Sequence, residues 1–135
     1  MKISTYEEFK QKWPCVKVGI AIGVGWLDML DEMLQAATDA GFDPERDQII
    51  QIKEKFATIR VYINYAEADE SDPKRVRRIE EALDSKDRSG RTCEVCGKPG
   101  QIYYDCVWQT RCEEHKTPDS LTIKEYKAKQ DAKGQ

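Results

Sequence analysis

Near the C-terminal end of the chain, Cys93 and Cys96 are followed, after fifteen intervening residues, by Cys112 and His115, and no other stretch restricts the possible fold as strongly. Two such pairs, each with two intervening residues, match what a single tetrahedral zinc ion requires. Four side-chain ligands would complete its coordination sphere and leave no position for water or substrate. The expected ion is therefore one structural zinc that folds the segment. Gly97, just after the first pair, permits the turn that aims backbone N–H groups at the sulfurs, and Pro99-Gly100 continues it toward a hairpin. Ile102, Tyr103, Tyr104, Val107 and Trp108 suit a short strand leading back to the second pair, so a zinc ribbon or treble clef is expected. Cys106 falls within that strand and is an alternative to His115 as fourth ligand; otherwise it is a small core residue or a free thiol, as is Cys15.

A chain of 135 residues and 15.6 kDa can bury one modest core, with the metal stapling a small second lobe. The expected division is an α+β domain over 1–88 with a β-hairpin and a bridging helix, a zinc lobe over 89–116 and a polar tail over 117–135. No run approaches the ~20 apolar residues of a membrane span, and the opening MKISTYEEFK lacks the apolar run of a secretory signal. Four of five cysteines lie in the C-terminal segment that carries the zinc pattern, which fits a reducing compartment. A soluble cytoplasmic protein is expected.

Within the first domain, Ser4 and Thr5, with Glu7 and Glu8 three residues on, read as capping boxes for a short helix that Pro14 ends. The stretch 16–24 is apolar and β-branched, either strand or buried loop. Trp26, Leu27, Leu30, Met33, Leu34 and Ala37 recur at helical spacing before Gly41. Residues 48–65 alternate as a hairpin turning near Phe56 to Thr58. Ile50, Ile52 and Phe56 are expected on its core face with Ile59, Val61, Ile63 and Tyr65; Lys53, Lys55, Arg60 and Tyr62 are expected on the other. After an acidic loop over 67–72, Asp72-Pro73 opens a second helix with the apolar stripe Val76, Ile79 and Leu83. The tail has few apolar positions and reads as a weakly attached helix or a disordered segment.

Charge is unevenly spread although the net value is only −3. Eight acids face two bases between Trp26 and Glu54, whereas eight bases face five acids between Pro73 and Lys98. Such a dipolar chain suits a charged partner, protein or nucleic acid. Lys53, Lys55, Arg60 and Tyr62 could hold phosphates and stack a base, or dock an acidic protein, and Arg75 and Arg78 extend the basic surface. Gly23-Val24-Gly25-Trp26 lacks the third glycine of a dinucleotide loop and the lysine of a P-loop, so it reads as a tight structural turn. No HxE element precedes the CxxC as a zinc deaminase needs, and the one histidine is assigned to the metal. No catalytic motif and no small-molecule substrate are expected, so the chain reads as a binding protein, not an enzyme.

The succession GWLDMLDEM, QIKEKFATIRVYI and TCEVCGKPGQ ending in CEEH resembles small uncharacterised zinc-ribbon proteins of phages and prophages, over roughly residues 23–115. The resemblance places Cys93, Cys96, Cys112 and His115 on the metal ligands, and Trp26, Lys53, Glu54, Lys55, Phe56 and Arg60 on the group's most recognisable positions. Ala57 stands where the group usually has glycine. The group supplies no activity to carry over. A phage context implies a stoichiometric binder of a bacterial protein complex, including an inhibitor of a defence complex; a regulatory nucleic-acid-binding module is the alternative.

Overall fold

The computed structural model describes residues 2–66 and 72–134, and the acidic loop read from the sequence lies outside them except for Asp72. The chain is α+β, with two three-stranded sheets and helices packed around them.

Helix α1 (Tyr6–Lys12) begins where Thr5 accepts a hydrogen bond from the Glu8 backbone N–H at 3.1 Å, and it buries Phe9. Of the apolar stretch 16–24, only β1 (Ile20–Ala21) is a strand, paired parallel to β2; Val16 and Ile22 are buried in loop. A single 3₁₀ turn (Val24–Trp26) then leads into α2 (Leu27–Asp39). Leu27, Leu30, Met33, Leu34 and Ala37 fill the core from one face of α2, as their spacing predicts. Gly41 takes φ +120° just beyond the helix, a conformation that side chains other than glycine's resist.

Strands β2 (Gln48–Lys55) and β3 (Thr58–Asn64) form the expected hairpin, closed by a two-residue turn in which Phe56 and Ala57 take φ of 51° and 60°. Both left-handed values match the turn that follows strand twist, and Ala57 accepts a conformation usually given to glycine. Its N–H donates to Glu54 Oε2 at 2.7 Å, which holds the turn closed.

The core face of the hairpin differs from the expected one at two positions. A register irregularity between Ile49 and Gln51 puts one extra residue in β2, so Ile49 faces inward with Ile52 and Ile59 while Ile50 is exposed. Phe56 is likewise exposed, because it lies in the turn and no longer follows strand alternation. Lys53, Lys55, Arg60 and Tyr62 do share the opposite face.

Helix α3 (Pro73–Ala82) starts at Asp72, whose carboxylate accepts from the Arg75 N–H at 3.0 Å, and buries Ile79 while packing against α2. A single helical turn, α4 (Lys86–Ser89), leads to the second sheet. That sheet has the order β5–β4–β6, antiparallel throughout, from β4 (Gln101–Asp105), β5 (Val107–Arg111) and β6 (Leu121–Thr122).

The segment expected as a polar tail supplies β6 and α5 (Ile123–Lys133). Thr122 and Glu125 form a full capping box at its start, and Tyr126 packs on Tyr104 and Trp108. Its attachment comes from that aromatic contact and strand pairing, since α5 buries no residue completely. No helix among the described residues is long and apolar enough to cross a membrane.

One buried ion pair ties α3 to the chain just before β2. Asp47, 4 % exposed, bonds the Arg75 guanidinium at 3.0 Å and accepts from the N–H groups of Asp43 and Ala66. Burial opposes its charge, but Arg75 and these N–H donors outweigh it and hold the carboxyl below its ordinary range. A depressed folded-state value means that the group's contribution is complete above about pH 4 and is lost as pH falls through the folded value. Asp47→Ala is expected to cost about 3 kcal/mol at pH 7, because it leaves Arg75 without its buried partner. Urea unfolding of the wild type and variant at pH 7 and pH 3 checks this, with the difference shrinking at acid pH.

Candidate metal centre

The four residues singled out by spacing converge. One ligand atom from each of Cys93, Cys96, Cys112 and His115 lies within 4.8 Å of all the others. The Cys96 and Cys112 sulfurs are 3.7 Å apart, and His115 Nδ1 is 3.2 Å from Cys112 Sγ and 3.9 Å from Cys93 Sγ. A tetrahedral ion with ordinary metal–sulfur and metal–nitrogen bonds sets such separations at about 3.8 Å and about 3.6 Å, so these three lie within about 0.4 Å of what it requires. Three thiolates and one imidazole are a donor set that could hold a metal ion, with Nδ1 as the imidazole ligand.

Local chain geometry explains the convergence. Gly97 at φ +79° reverses the chain, its N–H bonding the Cys93 carbonyl at 2.9 Å, while the Cys93 N–H bonds the Lys98 carbonyl at 2.8 Å. Hairpin β4–β5 then returns the chain, and a second turn, with the His115 N–H on the Cys112 carbonyl at 3.1 Å, presents the other pair. Burial would raise the Cys93 thiol, but N–H groups of Cys96, Cys112 and Val95 and the Cys96 thiol bring it down to about 7. Cys96 moves the other way, raised by burial and by its two neighbouring thiols.

Cys106 lies outside the cluster and is not in mid-strand. It occupies the β4–β5 turn at φ +64°, exposed and away from the cluster. The sequence reading missed the turn because alternation alone does not reveal so short a reversal between two strands. Cys15 is half-buried in the first domain, its thiol raised by burial.

The glycine turn before α2 proves to be the seat of the knuckle that carries Cys93 and Cys96. Gly25 N–H donates to the Glu94 carbonyl at 2.8 Å, Gly23 N–H to the Glu94 carboxylate at 2.9 Å, and the Trp26 indole N–H to the Thr92 carbonyl at 2.7 Å. A Cβ at Gly25 would lie 2.4 Å from the Cys93 carbonyl oxygen, so only glycine admits this approach. Arg111 pairs with the other Glu94 oxygen at 3.2 Å. Glu94, Thr92 and Arg111 were not singled out from sequence; the nearest signal was a Gly-x-Gly turn with no phosphate motif to account for it.

The basic residues divide into two groups. Lys53, Lys55, Arg60 and Tyr62 lie together on the hairpin, with Lys53 Nζ 5.4 Å from the Tyr62 ring centre. Arg75 and Arg78 instead reach the end of α2, Arg75 bonding the Gly41 carbonyl at 2.9 Å and Arg78 the Ala40 carbonyl at 3.4 Å. There they meet the negative end of the helix dipole and are taken up by the fold. No protein-family model, curated protein or solved structure matches this chain.

Proposed function

We propose that the protein is a zinc-stabilised, stoichiometric protein-binding factor that meets its partner through an aromatic surface shared by the hairpin tip and the C-terminal sheet. The observation that carries this reading is an open apolar hollow of about 320 Å³ lined by Phe56, Ile102, Trp108, Ile123 and Tyr126. Phe56 is 66 % exposed at its edge. Behind it, the Tyr104, Trp108 and Tyr126 rings pack with centroids 4.5 to 5.0 Å apart, giving a stiff aromatic floor. Lys55, whose Nζ lies 5.8 Å from the Phe56 ring, and Lys127 add a basic rim. An apolar aromatic centre with a charged border has the composition of a binding hot spot.

Zinc suits three thiolates and an imidazole, and four protein ligands leave it no open position. Its role in this reading is to fix a ribbon or clef lobe, and with it β5 and Trp108. The likeness of the sequence motifs to phage proteins supports a bacterial complex in the host cytosol, including a defence complex, as the target class. The protein then acts by occupancy, without catalysis.

Affinity capture with the zinc-loaded chain from nuclease-treated bacterial lysate, followed by titration calorimetry on the complex identified, tests the reading. Phe56→Ala should leave the fold intact and weaken binding by about 2 kcal/mol. A partner indifferent to Phe56, or one lost with the nucleic acid, would sink it. The second reading, nucleic-acid binding, is favoured by the clustering of Lys53, Lys55, Arg60 and Tyr62 on one face of the hairpin. It requires affinity that falls steeply with salt and with Lys53→Ala.

A further inference from the structure

β3 is an edge strand: α4 packs near it, but among the described residues no strand pairs with its free side. In a hairpin with a two-residue turn the pair beside the turn, here Lys55 and Thr58, exchanges hydrogen bonds, and pairs alternate from there. Arg60 and Tyr62 therefore bond to β2, while the N–H and C=O groups of Ile59 and Val61 point away from it. No backbone hydrogen bond outside the sheet uses them among the described residues.

That edge forms one wall of a cleft of about 380 Å³, lined by the consecutive residues 59–63 and, opposite, by Glu80, Leu83, Asp84 and Ser85. Two polar atoms in the cleft lining are buried without a hydrogen-bond partner, Arg60 Nε and Ser85 Oγ. Ser85 is only 3 % exposed, and its hydroxyl does not cap the helical turn that follows it. Orphaned buried donors are costly, and Arg60 makes no ion pair among the described residues.

The geometry points to a peptide site: an extended segment of a partner protein adds as a further strand beside β3 and places a carboxylate between Arg60 and Ser85. Free backbone groups recurring every second residue are what a strand recognises, and the guanidinium and hydroxyl supply charge-assisted donors for one acidic side chain. Glu80, which already accepts the Tyr65 hydroxyl at 2.7 Å, and Asp84 stand on the far wall. Their charge disfavours a continuous polyanion such as nucleic acid but tolerates a single carboxylate paired with Arg60. Apolar contacts come from Ile59, Val61, Ile63 and Leu83. The cleft shares no residue with the Phe56 surface, so either assignment can fail alone.

Selection of displayed random linear peptides on the zinc-loaded full chain tests this, with fluorescence anisotropy on the recovered sequences. Recovered peptides should share an acidic position within an apolar, β-forming run. Arg60→Gln, and acid-to-amide exchange in the peptide, should each weaken binding about tenfold, and together little more than either alone. Val61→Pro removes an N–H that β2 does not use, so it should abolish binding while sparing the hairpin ladder. Should that variant fail to fold by circular dichroism, amide shifts of Ile59 and Val61 on peptide addition to the wild type give the same information. Failure to recover peptides, recovery without an acidic position, or binding indifferent to Arg60 would overturn the proposal. So would dimerisation of the chain through β3, detected by sedimentation, which would give the edge to a second copy.

Discussion

Chelation of the metal, or the double substitution Cys93→Ser and Cys96→Ser, is expected to unfold residues 89–116 and to leave much of the first domain folded. Metal binding in a small four-ligand site is folding free energy of about 10 kcal/mol, and few apolar groups in this segment could replace it. Cys93 and Tyr103 are the buried apolar residues that β4 and the knuckle contribute. Nuclear magnetic resonance of the tryptophan indoles provides a residue-level reading. Trp26 Nε1 bonds the Thr92 carbonyl at the base of the knuckle and should shift on metal loss, whereas Trp13 Nε1 bonds Asp31 at 2.9 Å within the first domain and should not. An apo-protein with unchanged indole and amide spectra would show that the cluster does not organise the lobe.

Gly25→Ala is expected to separate the two parts of the molecule although it adds one methyl group. The new Cβ would stand 2.4 Å from the Cys93 carbonyl oxygen and 2.6 Å from the Gly97 nitrogen, both backbone atoms of the knuckle that cannot rotate away. Moving the knuckle would stretch the Gly25 and Trp26 hydrogen bonds to Glu94 and Thr92. A cost of about 3 kcal/mol follows from overpacking of this kind, and zinc affinity should fall with it, because the knuckle would lose its seat. Gly19→Ala is the matched control, since nothing lies within 4 Å of its added Cβ. Urea midpoints for the two variants and a competitive zinc titration measure both effects; equal midpoints would mean that the contact carries no stability.

The binding surface proposed above depends on the same docking. The second sheet carries Trp108 and Tyr126 sits on it, while the first domain contributes Phe56 from the hairpin tip. Thr110, buried in β5, also reaches the Ala57 carbonyl at 3.4 Å, linking the turn to the second sheet. Any partner that reads the aromatic hollow therefore reads a composite of two sheets, and metal loss should weaken binding even though no ligand residue lines the hollow.

Local chemistry in the sequence determined the cluster of Cys93, Cys96, Cys112 and His115, the caps at Thr5 and Asp72, the core stripe of α2 and the hairpin over 48–64. Each follows from residues a few positions apart, whose spacing already dictates turn, period or coordination. What tertiary structure alone decided involves partners far apart in the chain. The Gly23-to-Gly25 turn is explained by a knuckle some seventy residues away, through the Gly23 and Glu94 contact. Arg75 is directed to Asp47 and the end of α2 instead of to the basic hairpin face, because a buried carboxylate and free helix carbonyls outcompete water for it. The bulge at Ile50 turns a side chain that alternation would bury out to solvent, and pairing with β4 makes part of the polar tail into β6 and, with the Tyr126 contact, holds α5 in place. In these cases the residue's own chemistry permits several environments, and only the packing of distant segments selects one.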